Sequence, residues 1–202
     1  MSQIKLYSSP LSGHAHRVEL FLRMLNFPYS VENVSREERT TVEFSQLNPL
    51  KQVSVLQDGD LLLSDSNAIL VYLAKTYAPN SHWLPDKPLA AAQIQRWLSI
   101  AAGELKYGFA ISRAILQFGY SDDLGQAHEI SYQLLDFMDK HLSDRLWLAT
   151  DQVSIADIAC YSYSAHVSEG GVSLAPYKHV RRWIEQFEAL PKFKAMAKLP
   201  EP

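Results

Sequence analysis

Only one cysteine, Cys160, occurs in the 202 residues, so the chain cannot close an internal disulfide or gather thiolates around a metal. Thiol–disulfide redox chemistry at the first helix is excluded too, because no sulfur nucleophile lies near it. Cys160 sits within an apolar helical stretch and reads as buried filler. Charge of one sign is scarce: the formal net charge is −3 and no basic block occurs, which argues against a general nucleic-acid surface. The pair Arg181-Arg182 reads as solvated. Long apolar runs are missing as well. The longest, Ala68 to Ala74, falls far short of the ~20 residues of a membrane span, and no charged-then-apolar leader pattern opens the chain. A soluble, cytoplasmic protein without a membrane partner is the expectation. No glycine-rich phosphate loop occurs. His14 and His16 supply only two ligands at a spacing that diverges on a helix, so local bonding or solvation is expected for them, and no metal.

What is present is a core: 47% of residues are hydrophobic, enough for two small domains. The stretch from Val53 to Leu73 reads as strand, Asp58-Gly59 turn, strand, and then a helix opening on Asp65-Ser66. A helix start leaves backbone N–H groups unpaired and carries partial positive charge, so this junction can seat a carboxylate, with the Ser66 hydroxyl as an extra donor. Upstream, Ile4 to Tyr7 alternates like a strand, Pro10 to Gly13 breaks it, and Val18, Phe21, Leu22 and Leu25 give a helix over about 14–26 with one apolar face. A strand over 29–34 and a short helix over 42–47 complete the order strand-helix-strand-helix-strand-strand-helix.

Pro79, Pro85 and Pro88 then interrupt the pattern, and every later period is helical. Ile94, Trp97, Leu98, Ala101 and Leu105 form one stripe; Ile130, Leu134, Phe137, Met138 and His141 form a second; Val180, Trp183, Ile184 and Phe187 form a third. The predicted fold is an α/β thioredoxin-like domain over 1–78, a linker over 79–88 and an all-α helical bundle over 89–202. Ser154-Ile155-Ala156-Asp157 fits a capping box, with Val153 and Ile158 as its hydrophobic staple.

The chain resembles the cytosolic glutathione transferase superfamily. The matching residues are Pro10-Leu11-Ser12 ahead of Arg17-Val18, Asn48-Pro49 with Gln52-Val53, Asp65-Ser66 with Ala68-Ile69, and the Ser154-to-Asp157 box. The five-residue step from Ser12 to Arg17 is similar to that of the serine-type, phi-like members. The resemblance implies a transferase that joins the glutathione thiolate to small hydrophobic electrophiles, working as a homodimer. It also implies roles. Ser12 donates a hydrogen bond to the thiolate, with Ser9 and Tyr7 as rivals. Ser66 holds the γ-glutamyl carboxylate, Asp65 faces the amine, Val53 pairs its backbone with the cysteinyl peptide beside Gln52, and Arg39, or else Lys51, meets the glycyl carboxylate. Leu11, Tyr107 and Ile111 would wall the electrophile pocket.

Tyr7 lies three residues before Pro10, one more than in the tyrosine-type members, so strand alternation should turn it away from the site. The family places a cis-proline after the residue that pairs with glutathione, whereas this chain has Ser54, which leaves the geometry of the Val53–Ser54 bond open. Peroxide reduction by the same thiolate, or a non-catalytic binding protein on the same fold, are the alternatives.

Overall fold

A computed structural model describes residues 4–202. Four strands, β1 (Ile4–Ser8), β2 (Tyr29–Asn33), β3 (Val55–Asp58) and β4 (Leu61–Ser64), form one mixed sheet in the order β2-β1-β3-β4. β1 runs parallel to β2, linked by helix α1 (Gly13–Met24), while β3 is antiparallel to both β1 and β4. The turn of the hairpin falls on Gly59 and Asp60, because Asp58 is still paired, with Leu61, across the strands.

Alternation along β1 sorts its side chains between two layers. Ile4 and Leu6 enter the main core with Leu56, whereas Tyr7 joins a smaller cluster on the other face with Val34, Phe44, Val53 and Val55. Phe44 comes from α2 (Val42–Leu47), which covers that second face. Helices α1 and α3 (Ser66–Tyr77) sit on the first. The pattern predicted one buried face for α1, but the helix is enclosed almost all round, with Ala15, His16, Arg17, Leu20 and Leu22 all buried. It lies between the sheet and helix α7 (Ile155–Ser164), and α7 itself is buried at every residue. Ala156, Ala159, Cys160, Ser162 and Ser164 keep half of this buried helix small.

The other helices are α4 (Pro88–Ala102), α5 (Ile111–Phe118), α6 (Leu124–His141) and α8 (Lys178–Glu188), and among the described residues no strand follows Ser64. Proline at the first position of α4 starts it one residue ahead of the expected boundary. The apolar stripes lie where the periodicity put them, with Trp97, Leu134, Met138, Trp183 and Phe187 in the main core. Cys160 is fully buried and its thiol is pushed up to about 12 by burial, the state expected of an inert filler.

Two features depart from the sequence reading. A π-helical stretch over Lys106–Ala110 separates α4 from α5, and the chain beyond Glu188 is an irregular strap rather than helix, in keeping with Pro191, Pro200 and Pro202. Arg182 is not simply solvated either. Its Nη2 donates to the carbonyls of Leu142 and Arg145 at 2.6 and 2.5 Å, closing the end of α6. No helix among the described residues is long and apolar enough to cross a membrane.

Candidate active site

Two helix mouths open onto one cleft of about 780 Å³. The first is that of α1. Ser12 caps it, with φ −86° and ψ 113°, and its Oγ accepts the Ala15 N–H at 3.3 Å. Accepting that bond leaves the single hydroxyl proton of Ser12 able to donate to another acceptor, and Ser12 lines the cleft. The Ser12 amide donates to the Ser9 carbonyl at 3.0 Å, which folds Ser9 to Ser12 into a tight turn against the helix start. Gly13 follows because nothing larger fits: a Cβ there would lie 2.8 Å from the Tyr163 ring.

The second mouth belongs to α3. Oδ1 of Asp65 accepts from the amides of Asn67 and Ala68 at 2.9 Å each, leaving the Ser66 amide as the N–H of that first turn without an acceptor among the described residues. Ser66 is buried, and its Oγ receives a hydrogen bond from Arg17 Nη1 at 3.3 Å. The same nitrogen donates to Asn67 Oδ1 at 2.8 Å, and Asn67 in turn donates to the Leu98 carbonyl at 3.0 Å. Arg17 is only 1% exposed, has no carboxylate within salt-bridge distance among the described residues, and keeps Nε and Nη2 without a partner. Burial holds its guanidinium below the ordinary arginine range. A buried cation under an open helix N-terminus makes this mouth a strong anion seat.

His14 stands between the two mouths. Its ring meets Tyr163 edge-on at 5.1 Å, and its Nδ1 is 3.5 Å from Ser66 Oγ. Burial, reinforced by Arg17 and Lys106, depresses its pKa to about 3, so it is a neutral ring at physiological pH. His16 points the other way, to Ser162 Oγ and the Lys194 carbonyl at 2.8 Å each. The two histidines therefore share no ligand position.

Of the residues the sequence nominated, Leu11, Ser12, Arg39, Gln52, Val53, Asp65, Ser66 and Ile111 line this one cleft, as does Ser9. The Val53–Ser54 bond is cis. Asn48 pins the loop before it, donating to the Gln52 carbonyl at 2.8 Å and accepting from the Leu50 amide at 3.1 Å. Tyr7 lies outside the cleft, its hydroxyl donating to Gln57 Oε1 at 3.2 Å, and Lys51 is not on the wall. Tyr107, expected in the electrophile wall, lies elsewhere too: it is 55% exposed and its neighbour Lys106 faces the cleft instead. Lys106 and Ala110 of the π-helical stretch line the cleft with Ala102, Ile111 and Ala114, and Tyr107 does not.

Sequence reasoning assigned no role to Arg17, Asn67, His14 or Tyr163. Arg17 did leave a signal, standing one turn before Phe21 on the apolar stripe of α1, where a charged residue needs a reason to be.

Residues 2–75 match the family model of the glutathione S-transferase N-terminal domain, and residues 100–191 match that of the glutathione S-transferase C-terminal domain. This chain belongs to the glutathione S-transferase family. It is 30% identical over 167 residues to glutathione S-transferase theta-2 of Rattus norvegicus, covering 77% of this chain and 68% of that one. A glutathione S-transferase crystal structure from Pseudomonas fluorescens superposes with a TM-score of 0.91 at 29% identity, over 98% of this chain and 100% of that one. A glutathione transferase homologue from Drosophila mojavensis, solved with bound glutathione, superposes with a TM-score of 0.85 at 26% identity, over 95% of this chain and 90% of that one.

For this glutathione S-transferase family member, the buried Arg17 carries a prediction. Arg17→Met should weaken glutathione binding about tenfold or more by calorimetry, because a hydrogen bond to a charged group contributes ~1.5–3 kcal/mol. Thermal stability should change little, since a buried unpaired cation is itself costly. An unaltered dissociation constant would remove Arg17 from the anion seat.

Proposed function

We propose that the protein is a serine-type glutathione S-transferase in which Ser12 donates a hydrogen bond to the glutathione thiolate, which attacks the electrophilic carbon of a small hydrophobic compound. The observation that carries this reading is that Ser12, at the mouth of α1, and Ser66, at the mouth of α3, line the same cleft. One mouth suits a thiolate and the other the γ-glutamyl carboxylate. A free thiol has a pKa of roughly 8.5, so stabilising its ionised form at neutral pH is the chemical service the protein must supply.

In this reading the second oxygen of Asp65 faces the glutathione amine, since Oδ1 is committed to the helix cap. Val53 offers its backbone to the cysteinyl peptide as an added strand would, beside Gln52. Arg39 meets the glycyl carboxylate; it lies on the cleft wall and has no acidic partner among the described residues. Leu11 and Ile111 form part of the electrophile side, with Ala114 and Phe118 in the place first assigned to Tyr107. Residues 1–78 would supply the glutathione half and 89–202 the electrophile half. We infer a cytoplasmic homodimer in which the exposed Leu89 and the apolar groove of Val71, Leu84, Ala91 and Ile94 between α3 and α4 meet the second copy.

The test is a calorimetric titration with glutathione alongside a chromogenic aryl halide assay. A dissociation constant below about 1 mM, equivalent to ~4 kcal/mol, together with glutathione-dependent turnover supports the reading. Absence of a complex at millimolar glutathione would sink it.

A further inference from the structure

Away from the glutathione seat, a buried ionic cluster ties the end of the chain to the loop that carries Ser12. Glu169, in a short 3₁₀ turn over Val167–Gly170, has a side chain only 4% exposed and accepts three hydrogen bonds. They come from Arg113 Nε on α5 at 2.5 Å, His166 Nδ1 at 2.6 Å and the Leu199 amide of the C-terminal strap at 3.0 Å. Burial pushes the Glu169 carboxyl upward, but the Leu199 amide and the Arg113 and His166 side chains outweigh it and hold it below the usual carboxylate range. Arg113, itself 2% exposed, extends Nη1 to the carbonyl of Leu11 at 2.8 Å. That carbonyl belongs to the peptide that joins Leu11 to Ser12.

The strap is fastened at further points. Gln117 Nε2 donates to the carbonyls of Glu169 and Pro200 at 2.8 and 2.9 Å, His16 Nε2 lies 2.8 Å from the Lys194 carbonyl, and Lys194 Nζ pairs with Glu19 at 2.7 Å. The 3₁₀ turn is pressed directly on α5, since a Cβ on Gly170 would lie 2.5 Å from Ser112 Oγ. Burying an arginine–glutamate pair rarely stabilises a fold more than apolar side chains of the same volume would. What the pair achieves here is geometric, because a guanidinium gripped by a carboxylate on one edge has its other edge aimed in a fixed direction.

We propose that Arg113 is a positioning residue for the thiolate-binding loop, that Glu169 and the C-terminal strap hold it in place, and that together they set where the Ser12 hydroxyl points. The proposal rests on the reading of Ser12 as the thiolate's donor. Lysine at 113 would satisfy Glu169 or the Leu11 carbonyl but not both, so Arg113→Lys frees the loop while keeping the charge. Leu199→Pro removes the strap's N–H to Glu169 while leaving Arg113 and Glu169 intact.

The experiment follows the ultraviolet absorbance of bound glutathione thiolate against pH in the full-length protein, with kcat and KM for an aryl halide. Arg113→Lys should raise the apparent pKa of the bound thiol by ~0.5–1 unit, a three- to tenfold change in ionisation, and lower kcat more than it raises KM for glutathione. Leu199→Pro should shift it the same way by less, and it carries the test if Arg113→Lys does not fold. On a Ser12→Ala background neither substitution should shift the titration further, because a residue that acts through Ser12 has nothing left to position. If the variants lose thermal stability while the thiol titrates as in wild type, the cluster is structural only and the proposal is overturned. Failure of the Ser12 reading looks different: there wild type and Ser12→Ala titrate alike.

Discussion

Replacing Ser12 by alanine is expected to raise the apparent pKa of enzyme-bound glutathione by about one to two units and to lower its conjugation rate at pH 6.5 by roughly ten- to a hundredfold. The size follows from the one hydrogen bond removed: a donor to a charged acceptor contributes ~1.5–3 kcal/mol, and each pKa unit corresponds to 1.36 kcal/mol. The sign follows from which form the donor favours. In the proposed reading Ser12 stabilises the thiolate, so its loss should move the titration up toward the free value of roughly 8.5, with a deficit that narrows as pH rises past that value. Ser12 also caps α1 by accepting from Ala15, and loss of a cap costs ~1 kcal/mol of stability. Ser12→Asp separates the two roles, because an ionised aspartate caps a helix well but donates nothing. It should fold as stably as wild type and still be inactive, whereas Ser12→Thr, which keeps the hydroxyl, should retain activity. Equal pH profiles in wild type and Ser12→Ala would hand the role to Ser9, which lines the same cleft.

Asp157→Ala should be the most destabilising substitution in the second half of the chain. The carboxylate is fully buried and accepts from the Leu148 amide at 3.0 Å, the Ser154 amide at 2.9 Å, the Ser154 hydroxyl at 3.2 Å and Trp183 Nε1 at 3.0 Å. Alanine would strand the two amides and the indole N–H in the core at ~1–3 kcal/mol each. A loss of about 3–6 kcal/mol is a large share of the ~5–15 kcal/mol that holds a typical domain, and should lower Tm by about 10 °C or more. The group also makes stability depend on pH. Burial raises its pKa from 3.8 to about 6 against the pull of its four donors. Between those values the folded chain keeps a proton that the unfolded chain has released, so this group's contribution falls as pH rises through that window. Asp157→Asn should flatten that part of a Tm-against-pH curve; a curve of unchanged shape would mean that Asp157 is ionised throughout.

The residues that sequence alone made legible share one property: their partners lie within four positions. The Ser154 box and the Asp65 cap, with its carboxylate on the amides of Asn67 and Ala68, are local hydrogen bonds of the kind a short motif specifies. The helical stripes and the β1 alternation are local in the same sense, since a period of 3.6 or 2 assigns each side chain to a face without reference to the rest of the chain. Tyr107 shows the limit of that logic. The wall of the cleft carries its neighbour Lys106 instead, in a π-helical stretch that the apolar pattern did not announce.

The sequence by itself therefore determined the element order of the first 78 residues and the two helix mouths, and the resemblance it carries named the residues at each mouth. Only tertiary structure decided that the mouths share one cleft, that Arg17 lies buried beneath Ser66, and that Arg113 reaches across 102 residues of chain to the Leu11 carbonyl. The physical reason is packing. α1 is sandwiched between the sheet and the small-residue helix α7, and that sandwich fixes which polar groups distant in sequence are forced together out of water, where each must find a partner.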